Sequence, residues 1–255
     1  MLRAADTPTW LSIPSVDFPV RGQRITHGLS YAIIGSQERN PASLALACLR
    51  LLKFRTFWDI GANFGYYSWL MKSANADLEI MMVEPLPANA SLIRETIIRN
   101  CFRDVDLTEA AASDAPGRGA LHADDISGST SSLNDEETFE QRHFGIAPRT
   151  MPVSLVSIDS LRASRARIDF MKIDVEGHEA ATLRGAEATI ARDQPVLLVE
   201  CAHPEHQCLN ALDGYTIVDA DRLTRSCEEG SANFFCFPKH RSDAIDAVLA
   251  KAAEG

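Results

Sequence analysis

The chain has 255 residues, of which 45% are hydrophobic and 24% are charged, so it can bury a substantial core and has the composition of an ordinary globular protein. A net charge of −10 argues against a broad phosphate-binding surface and therefore against nucleic acid as a partner. No stretch approaches the roughly 18 apolar residues of a membrane span, and the N-terminus lacks the apolar region of a signal peptide.

The six cysteines contain no Cys-x-x-Cys pair, which argues against a zinc knuckle or a thioredoxin-type site. Several of them stand inside apolar runs, where a free cysteine behaves as a small hydrophobic residue. We therefore expect a cytoplasmic protein that does not engage a membrane.

Residues 1–40 show little periodicity, which predicts an N-terminal extension of short strands and loops. In residues 41–255 strand and helix signals alternate, which predicts one α/β domain with a doubly wound, mostly parallel sheet and helices on both faces. The strands are predicted at Thr56–Gly61, Leu78–Glu84, Val105–Ala110, Val153–Ile158, Ile168–Val175, Pro195–Cys201, Tyr215–Asp219 and Asn233–Pro238. The helices are predicted at Pro41–Lys53, Tyr66–Ser73, Ala88–Asn100, Glu176–Arg192 and Arg241–Ala253.

Residues 112–150 interrupt this alternation with several glycines, a Ser/Thr cluster at Ser127–Ser132 and a number of acidic residues. A span of this length without periodicity inside a compact domain is usually a functional loop. We predict that it forms a long loop or lid over the site.

The turn from Asp59 to Gly65 carries the strongest functional signal. It reads Gly-x-Asn-x-Gly, whereas a dinucleotide fingerprint reads Gly-x-Gly-x-x-Gly and places a helix N-terminus under a pyrophosphate. Asn63 tolerates a positive φ well, so a tight turn is expected there. The turn therefore predicts an adenosine that carries a cation rather than a diphosphate. Asp59 either accepts a hydrogen bond from the ligand's ammonium group or holds the turn in place.

Two further acidic residues follow predicted strands. Glu84 lies about 20 residues after Gly65, the interval at which α/β nucleotide folds place an acid on the ribose hydroxyls. Its two oxygens can accept from both hydroxyls of the diol, and its alternative role is to cap the helix after Pro85. Asp114 either accepts from an adenine amino group or belongs to a turn.

Ionisable residues crowd the end of the strand that precedes Val175. Because side chains alternate along a strand, Lys172 and Asp174 lie on the same face, together with Phe170. The two residues form either a buried structural ion pair or part of a functional site. In the functional interpretation Asp174 and Glu176 lie at the carboxyl edge of the sheet, where such folds build their sites.

The next strand ends in Glu200 and is followed by His203. If the two strands pair, both residues meet Asp174 in space. A histidine beside a carboxylate can act as a general base, and His178 is a second candidate for that role. Alternatively, Asp174, Glu200 and His203 could hold a divalent cation such as Mg²⁺.

Taken together, these segments resemble the FkbM family of S-adenosylmethionine-dependent methyltransferases over roughly residues 55–201. The pair formed by the Asp59–Gly65 turn and the Lys172–Glu179 motif is specific. The segments that carry the resemblance are Phe57–Ser68, Val83–Pro85, Ala111–Asp114, Ser127–Leu133, Ile158–Leu161, Lys172–Glu179, Leu183–Ala186 and Pro195–Glu200.

The resemblance implies the class I methyltransferase fold, a Rossmann-like seven-stranded sheet with one reversed strand near the C-terminus. It implies S-adenosylmethionine as the cofactor, with Asp114 near the adenine. The cofactor-binding residues that follow are Asp59, Gly61, Ala62, Asn63, Gly65, Tyr66, Glu84, Pro85, Ser113 and Asp114.

The resemblance also implies O-methylation of a hydroxyl on a small molecule, such as a sugar or a polyketide-type metabolite. We expect the acceptor under the Gly117–Arg149 loop, with Asp174, Glu176, Glu200 and His203 as the catalytic residues. N-methylation is the main alternative chemistry, and a nicotinamide-dependent oxidoreductase is a rival that the missing third glycine disfavours. Whether the protein forms a homodimer is left open.

Overall fold

The computed structural model describes residues 6–28, 39–123, 131–133, 149–162, 167–201, 205–226 and 230–254. No helix in these ranges is long and apolar enough to cross a membrane.

The N-terminal extension contains a short antiparallel hairpin of β1 (Pro8–Leu11) and β2 (Val20–Gln23). The prediction of short strands is therefore confirmed for the described part of this segment. The next helix, α1 (Arg39–Leu52), has Pro41 in its first turn, where proline is tolerated because that turn's N–H groups have no helical acceptor.

Strands and helices then alternate along the chain. The strands are β3 (Thr56–Ile60), β4 (Glu79–Val83), β5 (Val105–Thr108), β6 (Ala111–Ala112), β7 (Gly117–Ala123), β8 (Arg149–Val156), β9 (Phe170–Ile173), β10 (Val196–Glu200), β11 (Tyr215–Asp219) and β12 (Asn233–Pro238). The helices are α2 (Tyr66–Ala74), α3 (Pro87–Arg99), α4 (Ile158–Arg162), α5 (Glu179–Arg184), α6 (Glu187–Asp193) and α7 (Ile245–Ala253), with 3-10 helices at Glu205–Ala211 and Lys239–Ala244.

A seven-stranded sheet with the order β11-β12-β10-β9-β3-β4-β5 forms the centre of the fold. The pairs from β10 to β5 are parallel, whereas β12 runs antiparallel to both β10 and β11. The single reversed strand near the C-terminus confirms the topology that the resemblance implied.

Both faces of this sheet are covered, which explains why its central strands are apolar at nearly every position. One core cluster joins Phe57 and Phe170 to side chains of α1, α2, α3 and α7. The other cluster joins Trp58 and Met171 to Leu183 of α5 and to Ile158 of α4. Helices on both faces and the predicted alternation along β9 are therefore confirmed.

The aperiodic span 112–150 is not a loop throughout, and this part of the prediction was wrong. Residues 117–123 form β7, which pairs antiparallel with β8, and β8 begins at Arg149 and also pairs with β6. The resulting three-stranded sheet buries Leu121 and Val153 against Leu86, and these cross-strand contacts give no local periodic signal. Residues 124–130 and 134–148 lie outside the described ranges, so the lid stays a prediction there.

The single helix predicted over 176–192 is two short helices, α5 and α6. Gly185 separates them, and a Cβ at this position would clash with the backbone carbonyl oxygen of Ser113. The close approach of two chain segments therefore requires glycine between the two helices, and the sequence pattern alone cannot show it.

Candidate active site

A cleft of about 570 Å³ opens at the carboxyl ends of β3, β4 and β9, where parallel sheets present their ligand sites. The small sheet contributes one wall through Leu121, and the described stretch 131–133 adds Ser131 and Leu133. The lining residues are Gly61, Asn63, Val83, Glu84, Pro85, Asn89, Ala110, Ala111, Ala112, Leu121, Ser131, Leu133, Asp174, Val175, Glu176 and His178.

The turn between β3 and α2 bends tightly through three residues with positive φ: Gly61 at 79°, Asn63 at 55° and Gly65 at 93°. The prediction of a left-handed conformation at Asn63 is confirmed. Gly61 also has no room for a side chain, since a Cβ would clash with the carbonyl oxygen of Asp174. The turn thus brings the ends of β3 and β9 into direct backbone contact at the floor of the cleft.

Glu84 is buried at the end of β4 and borders the cleft. Its Oε2 accepts from the Asn63 N–H at 2.8 Å, and its Oε1 accepts from the Leu86 N–H at 2.9 Å. Burial raises the pKa of Glu84 to about 8, although these two N–H groups favour the ionised form. Glu84 therefore connects the turn after β3 to the residue that precedes α3, and it borders the cleft. The N-cap position of α3 is Leu86 and has no side-chain cap, so the capping role expected for Glu84 is not observed.

Asn89 belongs to this group, although sequence reasoning missed it. Its Nδ2 donates to Asn63 Oδ1 at 3.0 Å and lies 3.5 Å from Glu84 Oε1. The available signal is a polar residue in the first turn of α3, which faces the same strand ends as the turn. The three side chains form one hydrogen-bonded network along the cleft.

Asp59 lies beneath the cleft and is only 1% exposed. Its Oδ2 accepts from Ser68 Oγ at 2.7 Å, and Lys172 is its partner in the register with β9. Burial raises the pKa of Asp59, and the nearby Lys172 charge opposes this shift. The geometry favours the interpretation in which Asp59 holds the turn by connecting β3 to α2.

Lys172 and Asp174 form an ion pair under the site. Lys172 Nζ lies 2.6 Å from Asp174 Oδ2 and 4.9 Å from the ring centre of Tyr67. Lys172 is 5% exposed and Asp174 is 24% exposed, so the acid is the partner that reaches the cleft. The structural and functional interpretations of this pair are therefore compatible.

Glu176 lines the cleft and has a positive φ of 54°. Its carbonyl oxygen accepts from Ser132 Oγ at 2.7 Å, which ties the described stretch 131–133 to the site. Behind it, Glu179 Oε1 accepts from the N–H groups of Val175 and Gly177 at 3.1 and 3.2 Å. Glu179 is 2% exposed, and burial raises its pKa to about 7.

His178 Nε2 lies 3.1 Å from Ser113 Oγ and borders the cleft. Burial lowers the pKa of His178, and the charge of Asp114 opposes this shift. Asp114 itself lies nearer the surface, where its Oδ2 is 3.6 Å from Arg184 Nη2. Ser113 and Asp114 adjoin the cleft without lining it.

Strands β9 and β10 pair in parallel with Ile173 opposite Val199, so the expected pairing is confirmed. Asp174 and Glu200 follow at the same edge of the sheet, although Glu200 does not line the cleft. His203 lies outside the described residues. Within the described ranges no group of three or more His, Cys, Asp or Glu side chains is arranged to hold a metal ion.

The predicted cofactor and catalytic residues within the described ranges fall into two sets. Those that line the cleft are Gly61, Asn63, Glu84, Pro85, Asp174 and Glu176. Those that lie outside its lining are Asp59, Ala62, Gly65, Tyr66, Ser113, Asp114 and Glu200. Apart from Asn89, sequence reasoning also missed Leu121, which reaches the cleft only because β7 folds back over it.

Most of the chain matches the model of one known protein family. Residues 59–225 match the family model described as "Methyltransferase FkbM domain". No curated protein gives a significant match to the chain.

Among solved structures, the chain is similar to methyltransferase FkbM from Methylobacillus flagellatus KT, with 16% identity and a TM-score of 0.50. The match covers 72% of this chain and 44% of that one, so this chain spans less than half of its length. At this identity the likeness is one of fold.

Two weaker similarities were also found. An O-methyltransferase from Bacillus cereus in complex with SAH shows 13% identity and a TM-score of 0.42, with 77% of this chain and 79% of that chain covered. The SAH-bound methyltransferase PaMTH1 from Podospora anserina shows 13% identity and a TM-score of 0.43, with 78% of each chain covered.

Proposed function

This chain belongs to the FkbM methyltransferase family, and from that premise we propose that it transfers the methyl group of S-adenosylmethionine to a hydroxyl group of a small molecule. The seven-stranded sheet with its reversed β12 is the class I methyltransferase fold. The family and the fold support methyl transfer, and the cleft supports the choice of cofactor.

The observation that carries the proposal is the placement of Glu84 beside the Gly61–Gly65 turn in one cleft. A carboxylate offers two acceptor oxygens to the two hydroxyls of a ribose. The backbone of the turn at Gly61 and Asn63 borders the same cleft, so the rest of the cofactor would lie against the end of β3.

The acids on the other side of the cleft support a cationic ligand. Asp174 and Glu176 border the same space as Asn63. Their carboxylates are suited to a positively charged sulfur, whereas they would repel a diphosphate. The turn also lacks the third glycine of a dinucleotide site, so both observations favour S-adenosylmethionine over NAD.

When bound, S-adenosylmethionine would supply an activated methyl group on a cationic sulfur for transfer to the acceptor oxygen. The protein's contribution is alignment and proton removal. Lys172 holds Oδ2 of Asp174, and we assign Oδ1 to the acceptor hydroxyl. Glu176 borders the same space, and Glu200 and His203 follow the neighbouring strand as further candidates for the base. The described residues do not fit a metal site, so no step is assigned to a cation.

Calorimetric titration with S-adenosylhomocysteine and with NAD tests the cofactor. We expect S-adenosylhomocysteine to bind and to raise the melting temperature, since a ligand of the native state stabilises it by mass action. Binding of NAD without binding of S-adenosylhomocysteine would instead indicate an oxidoreductase.

Methyl transfer from radiolabelled S-adenosylmethionine to a panel of sugar hydroxyls and amines tests the acceptor atom. Labelling of hydroxyl compounds is expected, and labelling of amines alone would favour N-methylation. The same assay after treatment with a chelator tests whether the reaction requires Mg²⁺. Undiminished transfer would show that it does not.

A further inference from the structure

The N-terminal extension packs on α2 and α3, the helices that follow the Gly61–Gly65 turn and Glu84. The Asp17 N–H donates to Ser73 Oγ of α2 at 3.0 Å, and the Arg21 N–H donates to Thr96 Oγ1 of α3 at 2.9 Å. Asn100 Nδ2 donates to the carbonyl oxygen of Pro19 at 3.0 Å. This extension lies outside the span that matches the family model.

His27 is the residue of the extension that reaches the turn. Its ring stacks on the ring of Phe64 with a centroid distance of 4.2 Å and an interplanar angle of 12°. Its Nδ1 accepts from the Gln23 N–H at 3.0 Å, and the side chain is 3% exposed. Because the His27 ring is buried and stacks in parallel on Phe64, it is held in a defined position.

The backbone just before His27 is also fixed. The Asp6 carboxylate accepts from the N–H groups of Ile25 and Thr26 at 2.6 and 2.8 Å. Together with the bond from the Gln23 N–H to the ring, these bonds fix His27 within the extension, so the extension holds the ring against Phe64.

Phe64 occupies the middle of the turn, between Asn63, which lines the cleft, and Gly65. Its ring does not line the cleft, and its carbonyl oxygen accepts from Trp69 Nε1 at 2.8 Å. Trp69 therefore holds the backbone of Phe64 from the helix side, while His27 holds its ring from the extension. The turn is fixed from two directions.

We propose that His27 is a positioning residue of the cofactor site, whose stacking on Phe64 holds the Gly61–Gly65 turn in its binding conformation. The turn contains three residues with positive φ, so it has many alternative conformations when its contacts are lost. A displaced turn would also withdraw the Asn63 N–H from Glu84. Holding the turn before the ligand arrives removes this ordering cost from binding.

This inference rests on the proposed function, because the readout is cofactor binding. Two variants of His27 separate its stacking on Phe64 from its hydrogen bond with the Gln23 N–H. His27→Phe keeps an aromatic face against Phe64 and loses the Nδ1 acceptor, whereas His27→Asn keeps an acceptor for Gln23 and loses the ring. Trp10→Ala is the matched control, since Trp10 lies in the same hairpin and packs between the side chains of Arg21 and Arg99.

Titration of the full chain with S-adenosylhomocysteine is the measurement. We expect His27→Asn to weaken binding by about threefold to tenfold, the range that corresponds to one aromatic pair, and His27→Phe to bind within about twofold of wild type. Trp10→Ala lowers the melting temperature and leaves the affinity unchanged. Hydrogen exchange at the amides of residues 61–65 should be faster in His27→Asn and unchanged in Trp10→Ala.

The outcomes separate the two proposals. If the wild-type protein does not bind S-adenosylhomocysteine, the proposed function fails. If the wild-type protein binds and His27→Asn binds equally well, or loses no more than Trp10→Ala does, His27 is only a packing residue and the inference is overturned. Equal losses in His27→Asn and His27→Phe would overturn it too, because stacking would then not be the relevant contact.

Discussion

At the scale of the residue, Glu84 connects the folding of the cleft to its proposed chemistry. Its carboxylate accepts from two backbone N–H groups, one in the turn after β3 and one at the start of α3. The same side chain borders the cleft, where we propose that the ribose lies. Under this proposal one residue serves both roles, so the site would form together with the sheet edge.

Replacing Glu84 with glutamine should weaken cofactor binding. Above pH 8, where Glu84 is ionised, Glu84→Gln exchanges one acceptor oxygen for an amide, so a ribose hydroxyl loses its partner. At such a pH we expect the affinity for S-adenosylhomocysteine to fall by about tenfold or more. Glu79→Gln is the control, since Glu79 starts the same strand and is exposed. Calorimetric titration gives both values, and equal affinities for the two variants would contradict a ribose role for Glu84.

Glycine at position 61 is required for two independent reasons, its φ of 79° and its contact with the Asp174 carbonyl oxygen. Gly61→Ala should therefore lower the free energy of unfolding by on the order of 1–3 kcal/mol and abolish cofactor binding. Gly117→Ala is the matched control, because a Cβ there meets no atom within 4 Å. Urea denaturation of both variants checks the difference, and similar stabilities would be inconsistent with this account of the turn.

At the scale of the element, β9 and the turn that follows it bring most of the charged groups to the cleft. Lys172 lies inside the strand and neutralises acids on both sides, Asp174 at its end and Asp59 on the neighbouring strand. Beyond the strand, Glu179 at the start of α5 holds the turn by accepting from two of its N–H groups. The position of Asp174 and Glu176 therefore depends on residues that do not touch the cleft.

Lys172→Met removes the positive charge and leaves Asp174 and the buried Asp59 without it. We expect a loss of about 3 kcal/mol or more in the free energy of unfolding, since breaking a buried ion pair leaves an uncompensated charge. Lys251→Met removes an exposed pair with Glu254 and should cost less than about 1 kcal/mol. Chemical denaturation distinguishes the two, and a comparable small cost for both would show that the Lys172 pair is not important for stability.

Glu179→Ala leaves the N–H groups of Val175 and Gly177 without their acceptor. This should cost about 1–3 kcal/mol and weaken the binding of S-adenosylhomocysteine, because the turn carries Glu176 and His178. Glu179→Gln retains an acceptor oxygen and should recover most of the loss. Glu187→Ala, in the exposed first turn of α6, is the control. If Glu179→Gln behaved like Glu179→Ala, the two hydrogen bonds would not explain the effect.

At the scale of the whole molecule, buried carboxyl groups link stability to pH. Burial raises the pKa of Glu84 to about 8 and that of Glu179 to about 7, from 4.5, and it also raises the pKa of Asp59. The folded protein therefore binds more protons than the unfolded chain between about pH 4.5 and pH 8. These groups stabilise the fold fully below this window and lose that contribution as the pH rises through it.

Asp6, Asp193 and His178 have the opposite effect, because their lowered pKa values reduce the free energy of unfolding as the pH falls. Hydrogen bonds lower the pKa of Asp6 and Asp193 from 3.8, so their contribution is lost in acid. Burial lowers the pKa of His178 from 6.5, so its contribution is also lost as the pH falls below that value. The net decrease on raising the pH should therefore be clearest from about pH 6.5 to pH 8.

The expected result is a lower free energy of unfolding at pH 8 than at pH 6.5 for the protein without cofactor. Glu84→Gln and Glu179→Gln should each reduce this difference, because neither amide titrates. Denaturant titrations at the two pH values measure it. A stability that rises over this interval in the wild-type protein would contradict the assigned shifts.

The order of the strands in the seven-stranded sheet and of the longer helices was predictable because it depends on local patterns. Tyr215–Asp219 and Asn233–Pro238 were located at their observed bounds, and the positive φ of Asn63 followed from the chemistry of its side chain. The faces of β9 also followed, since alternate residues on a strand must point to opposite sides. The sequence by itself thus determined the sheet, the turn and the presence of acids at the strand ends.

Only the tertiary structure decided which of those residues reach the cleft. Asp59 faces Ser68 and Lys172 beneath the cleft, while Asn89 and Leu121 reach the site from α3 and β7. The stacking of His27 on Phe64 joins segments that are far apart in the chain. Such contacts depend on the packing of distant segments, and local propensity and spacing carry no information about them. Sequence determined the chemistry available to the site, and the packing of the chain selected the residues that use it.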